Sequence, residues 1–243
     1  MSILHIPPQF LSKYVKRFPE ATIERLLKND HCIHLYKWYT IQIKHTEEKL
    51  KEAYSMMSIY ENCPVLKSEH YLLRLTQTED LEALLSVYSD RNALPFFNSD
   101  NCNGDNFYYT TRERMKEALD FWDYSYKNRW FARLSIIDTA CSQIIGTVEL
   151  CARASEDAFN SMCILRVDVD SVHETEAVLT EIFALIAPHT DDLLGTRGIV
   201  TKGPIYAVER VKALQNTGFI QSPHLLVGGH DGYQYNGYWT LNT

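Results

Sequence analysis

The sequence predicts an α/β fold: one mixed β-sheet flanked by helices on both faces, preceded by a mainly helical N-terminal region. Three observations carry this. From Tyr71 onward, segments of two-residue apolar period alternate with segments of helical period. The stretch CILRVDVDS alternates strictly, with Cys163, Leu165, Val167 and Val169 on one face and Arg166, Asp168 and Asp170 on the other, so one face is core and the other is wet or lines a cleft. The period then lengthens through ETEAVLTEIFALIAPH, which makes a strand-to-helix crossover of the kind that builds layered α/β domains.

In chain order, Ile23, Leu26 and Leu27 predict a short helix over 20–30. The segment HCIHLYKWYTIQI fits either a strand or a buried helix. HTEEKLKEAYSMMSIYEN is an amphipathic helix presenting Leu50, Tyr54, Met57 and Tyr60. Pro64 and the polar segment NCPVLKSEH close this region, which places a helical N-terminal part at 1–70 and the main domain at 71–243. YLLRLT is a strand. TEDLEALLSVYSD is a helix capped by Thr78, with Leu81, Leu84, Leu85 and Tyr88 as its stripe. NSDNCNGDN is turn chemistry; it lacks the alternate acids and closing Glu of a calcium loop. TTRERMKEALDFWDYSYKN is a Thr-capped helix with Met115, Leu119 and Trp122 on one side, and WFARLSIID and QIIGTVELCAR form a hairpin across TACS. After the crossover helix, with Val178, Ile182, Leu185 and Ile186 as its stripe, RGIVT is a strand and YAVERVKALQNTGF a helix ending at Gly218. HLLVGG and YQYNGYWTLN are two closing strands.

Totals exclude several classes. A formal charge of -7 with scattered Lys and Arg gives no nucleic-acid footprint. No run approaches the roughly 18 apolar residues of a membrane span, and there is no signal-like N-terminus. Six cysteines without a CxxC pair read as thiols of a reducing compartment, which predicts a cytoplasmic protein. His31, Cys32 and His34 lack a fourth ligand at a familiar zinc spacing, so no metal site is predicted. Trp38, Tyr39, Tyr54 and Tyr60 read as an aromatic seam between the N-terminal helices and the main domain.

The element order, the strand IIGTVEL, the crossover out of LRVDVDS and the helix ending ALQNTGF resemble the GCN5-related N-acetyltransferase (GNAT) superfamily. The resemblance covers about 170 residues and rests on order and pattern. It implies transfer of an acetyl group from acetyl-CoA to a small-molecule amine. The cofactor would sit at the turn and helix start of Val169, Val172, His173, Glu174, Thr175 and Glu176, where backbone N–H groups and the helix dipole hold pyrophosphate. The pattern departs from the family there: the two family glycines fall on Glu174 and Glu176, where carboxylates add like charge and side chains replace open backbone. The Asn often found at the start of the last helix falls on Ala207, and the Tyr that often protonates the departing thiolate falls on Leu214. Glu in a first helical turn also suits the dipole of a helix that binds nothing.

Acyl transfer needs a general base near the amine, for which Glu149 and Asp168 are the candidates; each also reads as an exposed or ion-paired strand residue. Tyr206 is the candidate replacement acid and equally a packing aromatic. Two functions therefore stand open: an acetyl-CoA-dependent N-acetyltransferase with a degenerate cofactor loop, or a non-catalytic module on the same fold that binds another ligand or a protein. The partners implied are a small-molecule amine or another ligand, and a homo-oligomer is compatible with either reading.

Overall fold

The computed structural model describes residues 58–242. The chain divides into two units, Met1–Tyr54 and Ser55–Thr243. The expected helices before residue 58, the His31, Cys32 and His34 cluster, and Trp38, Tyr39 and Tyr54 lie outside the described residues.

The second unit is built on an eight-stranded sheet of order β1-β2-β3-β4-β5-β6-β10-β7. Its strands are β1 (Leu66–Lys67), β2 (Tyr71–Leu75), β3 (Ala132–Asp138), β4 (Gln143–Ala152), β5 (Cys163–Val169), β6 (Gly198–Lys202), β7 (Ile220–Gln221) and β10 (Tyr238–Asn242). β8 (Leu226–Val227) and β9 (Gln234–Tyr235) form a separate ribbon. Every neighbouring pair is antiparallel except β5 and β6. The expected mixed sheet is present, and pairing of Leu66 with Leu73 together with burial of Ile59 extends the folded unit before Tyr71.

Helices cover both faces, as the alternation predicts. α1 (Leu81–Tyr88) and α2 (Arg112–Lys127) enclose one apolar cluster that includes Leu84, Tyr88, Met115 and Trp122. α3 (Glu176–Ile186) and α5 (Val208–Asn216) share a second cluster that includes Leu165, Val167, Ile182, Phe183 and Leu214, and a third gathers around Phe159, Val200 and Tyr238. The short α4 (Thr190–Leu194), absent from the sequence reading, follows a 3-10 turn over Ala187–His189.

Several local expectations are corrected. Thr78 opens a 3-10 turn rather than capping α1; the Asp80 carboxylate accepts the Gln77 N–H at 3.0 Å to close that turn's capping box, and α1 itself has no side-chain cap. Thr111 does cap α2, accepting from the Arg114 N–H at 3.2 Å. Tyr60 lies in a turn and stacks on Tyr126 with ring centroids 5.8 Å apart. The buried stripe of α3 is Leu179, Ile182, Phe183 and Ile186, because the helix turns its other side, with Val178 and Leu185, only partly inward. YQYNGYWTLN is two strands, split by Gly237 at φ 78°. The Arg166 and Asp168 face of β5 is covered rather than wet, since α1 and the loop before α2 pack over it.

Gly146 has a steric reason. A Cβ there would lie 2.1 Å from the Asp168 carbonyl oxygen and 2.8 Å from Val169 Cα, at the irregularity where Ile137 pairs with Ile144 and Ile136 with Gly146. Close approach of β4 to the end of β5 thus requires glycine. Gly146→Ala is expected to destabilise the domain by about 1–3 kcal/mol in urea unfolding, whereas Gly229→Ala, with open space around its Cβ, should leave the midpoint nearly unchanged.

Candidate functional site

β5 and β6 pair only over Cys163–Leu165 and Ile199–Thr201, and the strands then part. The later half of β5 therefore turns an unpaired edge toward α5, with the turn to α3 just beyond it. Sequence order brings Val169, Val172, His173, Glu174, Thr175 and Glu176 to this end of the sheet.

The gap is filled from within. Arg210, on the inner side of α5 and 2% exposed, donates through Nη1 to the Val167 carbonyl at 2.8 Å. Its Nε and Nη2 both reach Glu174, at 2.7 Å each, in a two-pronged pair. Glu174 is buried. Burial opposes the charge of Arg210, but the Glu174 carboxylate outweighs it and holds the guanidinium above its ordinary value.

Four of the turn's N–H groups are engaged as well. Ser171 N donates to Asp90 Oδ2 at 2.8 Å, His173 N to Asp170 Oδ1 at 3.0 Å, and Glu176 N to Glu209 Oε2 at 3.2 Å. Thr175 N donates to the His173 carbonyl at 2.7 Å, and the Thr175 hydroxyl accepts from Val178 N at 3.5 Å to cap α3. Three carboxylates thus occupy donors that an anionic ligand would otherwise use. The Glu176 side chain faces outward, accepting from Asn216 Nδ2 at 2.8 Å. Val172 is 77% exposed, and Val169 is buried opposite Gly146.

Glu149 and Asp168 are brought together with two arginines. Arg133 and Glu149 are direct cross-strand partners, and Asp168 lies opposite Thr147. Arg133 Nη2 binds Glu149, while Nη1 reaches the Tyr88 hydroxyl at 2.8 Å, Thr147 Oγ1 at 3.2 Å and Asp168 Oδ2 at 3.2 Å. Arg166 binds the second oxygen of Glu149 and the Asp100 carbonyl. Two guanidinium groups balance two carboxylates; Arg133, Glu149 and Asp168 are buried and Arg166 is partly exposed. Burial raises the Asp168 carboxyl, with Arg133 and Arg210 opposing. For Glu149 burial also pushes upward, but Arg166 and Arg133 prevail and hold it below the ordinary range. In this arrangement neither carboxylate is open to an incoming amine.

Tyr206 stands apart. It is 61% exposed and donates its hydroxyl to the Pro95 carbonyl at 2.8 Å, while Leu214 is fully buried in the core. Ala207 supplies no side-chain cap to α5. Sequence reasoning missed Arg133, Arg210 and Asp90. Arg210 could have been found: it recurs with Ala207, Ala213 and Leu214 on the inward side of a helix, where a charge demands a partner. Arg133 becomes visible only once strand register puts it opposite Glu149.

No family model and no curated protein matches the chain. Solved structures do. Ribosomal-protein-S5-alanine acetyltransferase from Vibrio fischeri superposes with TM-score 0.55 at 15% identity, over 74% of this chain and 96% of that one. A GNAT-family acetyltransferase from Bacillus anthracis gives TM-score 0.55 at 11% identity, over 74% and 98%. The chain has the GNAT fold. A third GNAT-fold structure, spermidine N-acetyltransferase from Vibrio cholerae in complex with CoA and spermine, superposes with TM-score 0.50 at 14% identity, over 72% and 94%. Among the described residues of this GNAT-fold chain, no helix is long and apolar enough to cross a membrane, and no group of three or more His, Cys, Asp or Glu could hold a metal ion.

The charge network sets an acid limit on stability. Asp80, Glu149 and Asp157 are each pushed upward by burial and pulled below the ordinary range by Arg74, by Arg166 with Arg133, and by Arg153. Folded values below unfolded ones give stabilisation that is present above about pH 4 and lost as pH falls through the folded values; Asp168, shifted the other way, offsets part of the loss. Melting temperature is expected to fall steeply below about pH 4. Glu149→Gln should lower stability at pH 7 by about 3–5 kcal/mol, since it strips a buried partner from Arg133 and Arg166, and should flatten the acid limb of the melting curve.

Proposed function

We propose that this GNAT-fold protein is a non-catalytic ligand- or protein-binding module whose acetyl-CoA cleft is filled by its own side chains. The observation that carries the reading is the buried Glu174–Arg210 pair, which spans the gap between the parting strands and takes the Val167 carbonyl. Opening that gap would strand two charges, at a cost of about 3–5 kcal/mol if one partner is left alone in the interior. A pyrophosphate would also have to displace the Asp90, Asp170 and Glu209 carboxylates from the turn's N–H groups. With Glu149 and Asp168 locked in ion pairs and Leu214 where the family often has its acid, the described residues expected to serve the proton transfers of amine acetylation are not poised for them. The five described cysteines are free thiols, which supports a cytoplasmic setting.

A second reading is supported by the parting of β5 and β6, which keeps the backbone shape for a cofactor, and by the neighbour solved with CoA and spermine. On it, acetyl-CoA binds after Arg210 swings away, and the chain acetylates a small-molecule amine.

Calorimetric titration separates the two. The native protein is expected to give no heat with acetyl-CoA or CoA at millimolar concentration, and Glu174→Ala/Arg210→Ala, which empties the gap without leaving a lone charge, is expected to gain binding. Micromolar affinity in the native protein, with acetyl transfer to a polyamine, would overturn the non-catalytic reading.

A further inference from the structure

The outer side of α2 carries an aromatic surface that lies outside the core. Phe121, Tyr124 and Trp130 are 52%, 52% and 51% exposed. Their rings form one row. Tyr124 meets Trp130 edge to face with centroids 5.4 Å apart, Phe121 lies 6.4 Å from Trp130, and the half-buried Phe131 continues the row at 5.9 Å from Phe121. Single exposed apolar residues are ordinary, whereas a contiguous aromatic patch marks an interaction surface. The backbone bends to build it. α2 ends in a Schellman turn, in which the Trp130 N–H donates to the Ser125 carbonyl at 2.9 Å and the Arg129 N–H to the Tyr126 carbonyl at 3.0 Å. Glycine is the usual residue at the left-handed position of such a turn; here Arg129 takes it, at φ 60°. The turn folds Trp130 back onto the helix without burying it.

The charged rim selects the occupant. Asp120, Tyr124 and Lys127 recur at i, i+4 and i+7, so an acid stands one turn before the central ring and a base about one turn after it. A second α2 laid antiparallel across the first, on a two-fold axis at Tyr124, brings each Asp120 opposite Lys127 of the other copy. Within the chain Asp120 meets Lys116 at 2.6 Å and Lys127 meets Asp123 at 2.5 Å. Both pairs are exposed and of small worth, so they yield to partners across an interface. Acids at 120 and 123 and a formal charge of -7 oppose docking on an anionic membrane or on nucleic acid.

We infer that the outer face of α2 is an isologous dimer interface with a second copy of this chain: Phe121, Tyr124 and Trp130 form its apolar centre, and the two exchanged Asp120–Lys127 pairs form its edges. The inference is independent of the reading of the cofactor turn.

Sedimentation equilibrium of the full chain tests it. A dimer with a dissociation constant in the range of about 1–100 μM is expected. Tyr124→Ser/Trp130→Ser should weaken it at least about tenfold while leaving the melting temperature nearly unchanged, because both side chains are half exposed. Asp120→Lys alone and Lys127→Asp alone should each weaken the dimer by setting like charges against each other. Asp120→Lys/Lys127→Asp together should restore it to within about threefold of the native affinity. A chain that stays monomeric at about 500 μM, a dimer indifferent to the aromatic substitutions, or a double charge reversal that dimerises no more tightly than the single ones would each overturn the assignment.

Discussion

Arg133 is the charge around which the sheet is assembled. Its guanidinium is wholly buried and sits 4.4 Å from the Trp122 ring centroid of α2 while binding Glu149 of β4, Asp168 of β5 and the Tyr88 hydroxyl of α1. An isolated charge in that position would be prohibitive. Two strands and two helices must therefore adopt the one arrangement that surrounds it with acceptors. The same requirement explains why the inner face of β5 tolerates Arg166 and Asp168: each is half of a neutral set, and the set forms only in the native register.

The cofactor end follows a parallel logic. A GNAT fold leaves β5 and β6 parted, which exposes carbonyls and helix-start N–H groups that cannot stay unpaired in a dry interior. Here the chain supplies the missing partners itself, with Arg210 for a strand carbonyl and carboxylates for the turn's donors. The two glutamates of the turn divide the work unequally. Glu174 turns inward to neutralise Arg210, and Glu176 stays at the surface with Asn216.

Much of the architecture was legible because periodicity reports burial directly. β2 to β6 and the longer helices follow from it, as does the strand-to-helix crossover. What escaped had a common cause. The strands β1 and β7 have two residues each, too short to show a period. The inner stripe of α3 was misplaced because Val178, Leu179, Phe183 and Leu185 are all apolar, so composition could not say which side faces the sheet. At the site, Glu149 and Asp168 were singled out as acids, but their arginine partners depend on register and on packing between distant segments. The acids at Glu174 and Glu176 were readable; that Arg210 pairs with Glu174 was not, because it joins residues 36 positions apart.

The loop before α2 adds a temporal dimension. Asp100 binds Lys202 and the hydroxyl of Tyr238, which lie 102 and 138 residues further along the chain, and its carbonyl accepts from Arg166. Asn101, Asn103, Gly104 and Phe107 all take positive φ, and the loop adds to its local Asx-type bonds these anchors to distant strands. It can therefore close over the arginine network only once β6 and β10 are in place to receive Asp100. Until β10 has paired, the central ion pairs remain hydrated and the sheet lacks the cover that excludes water from them.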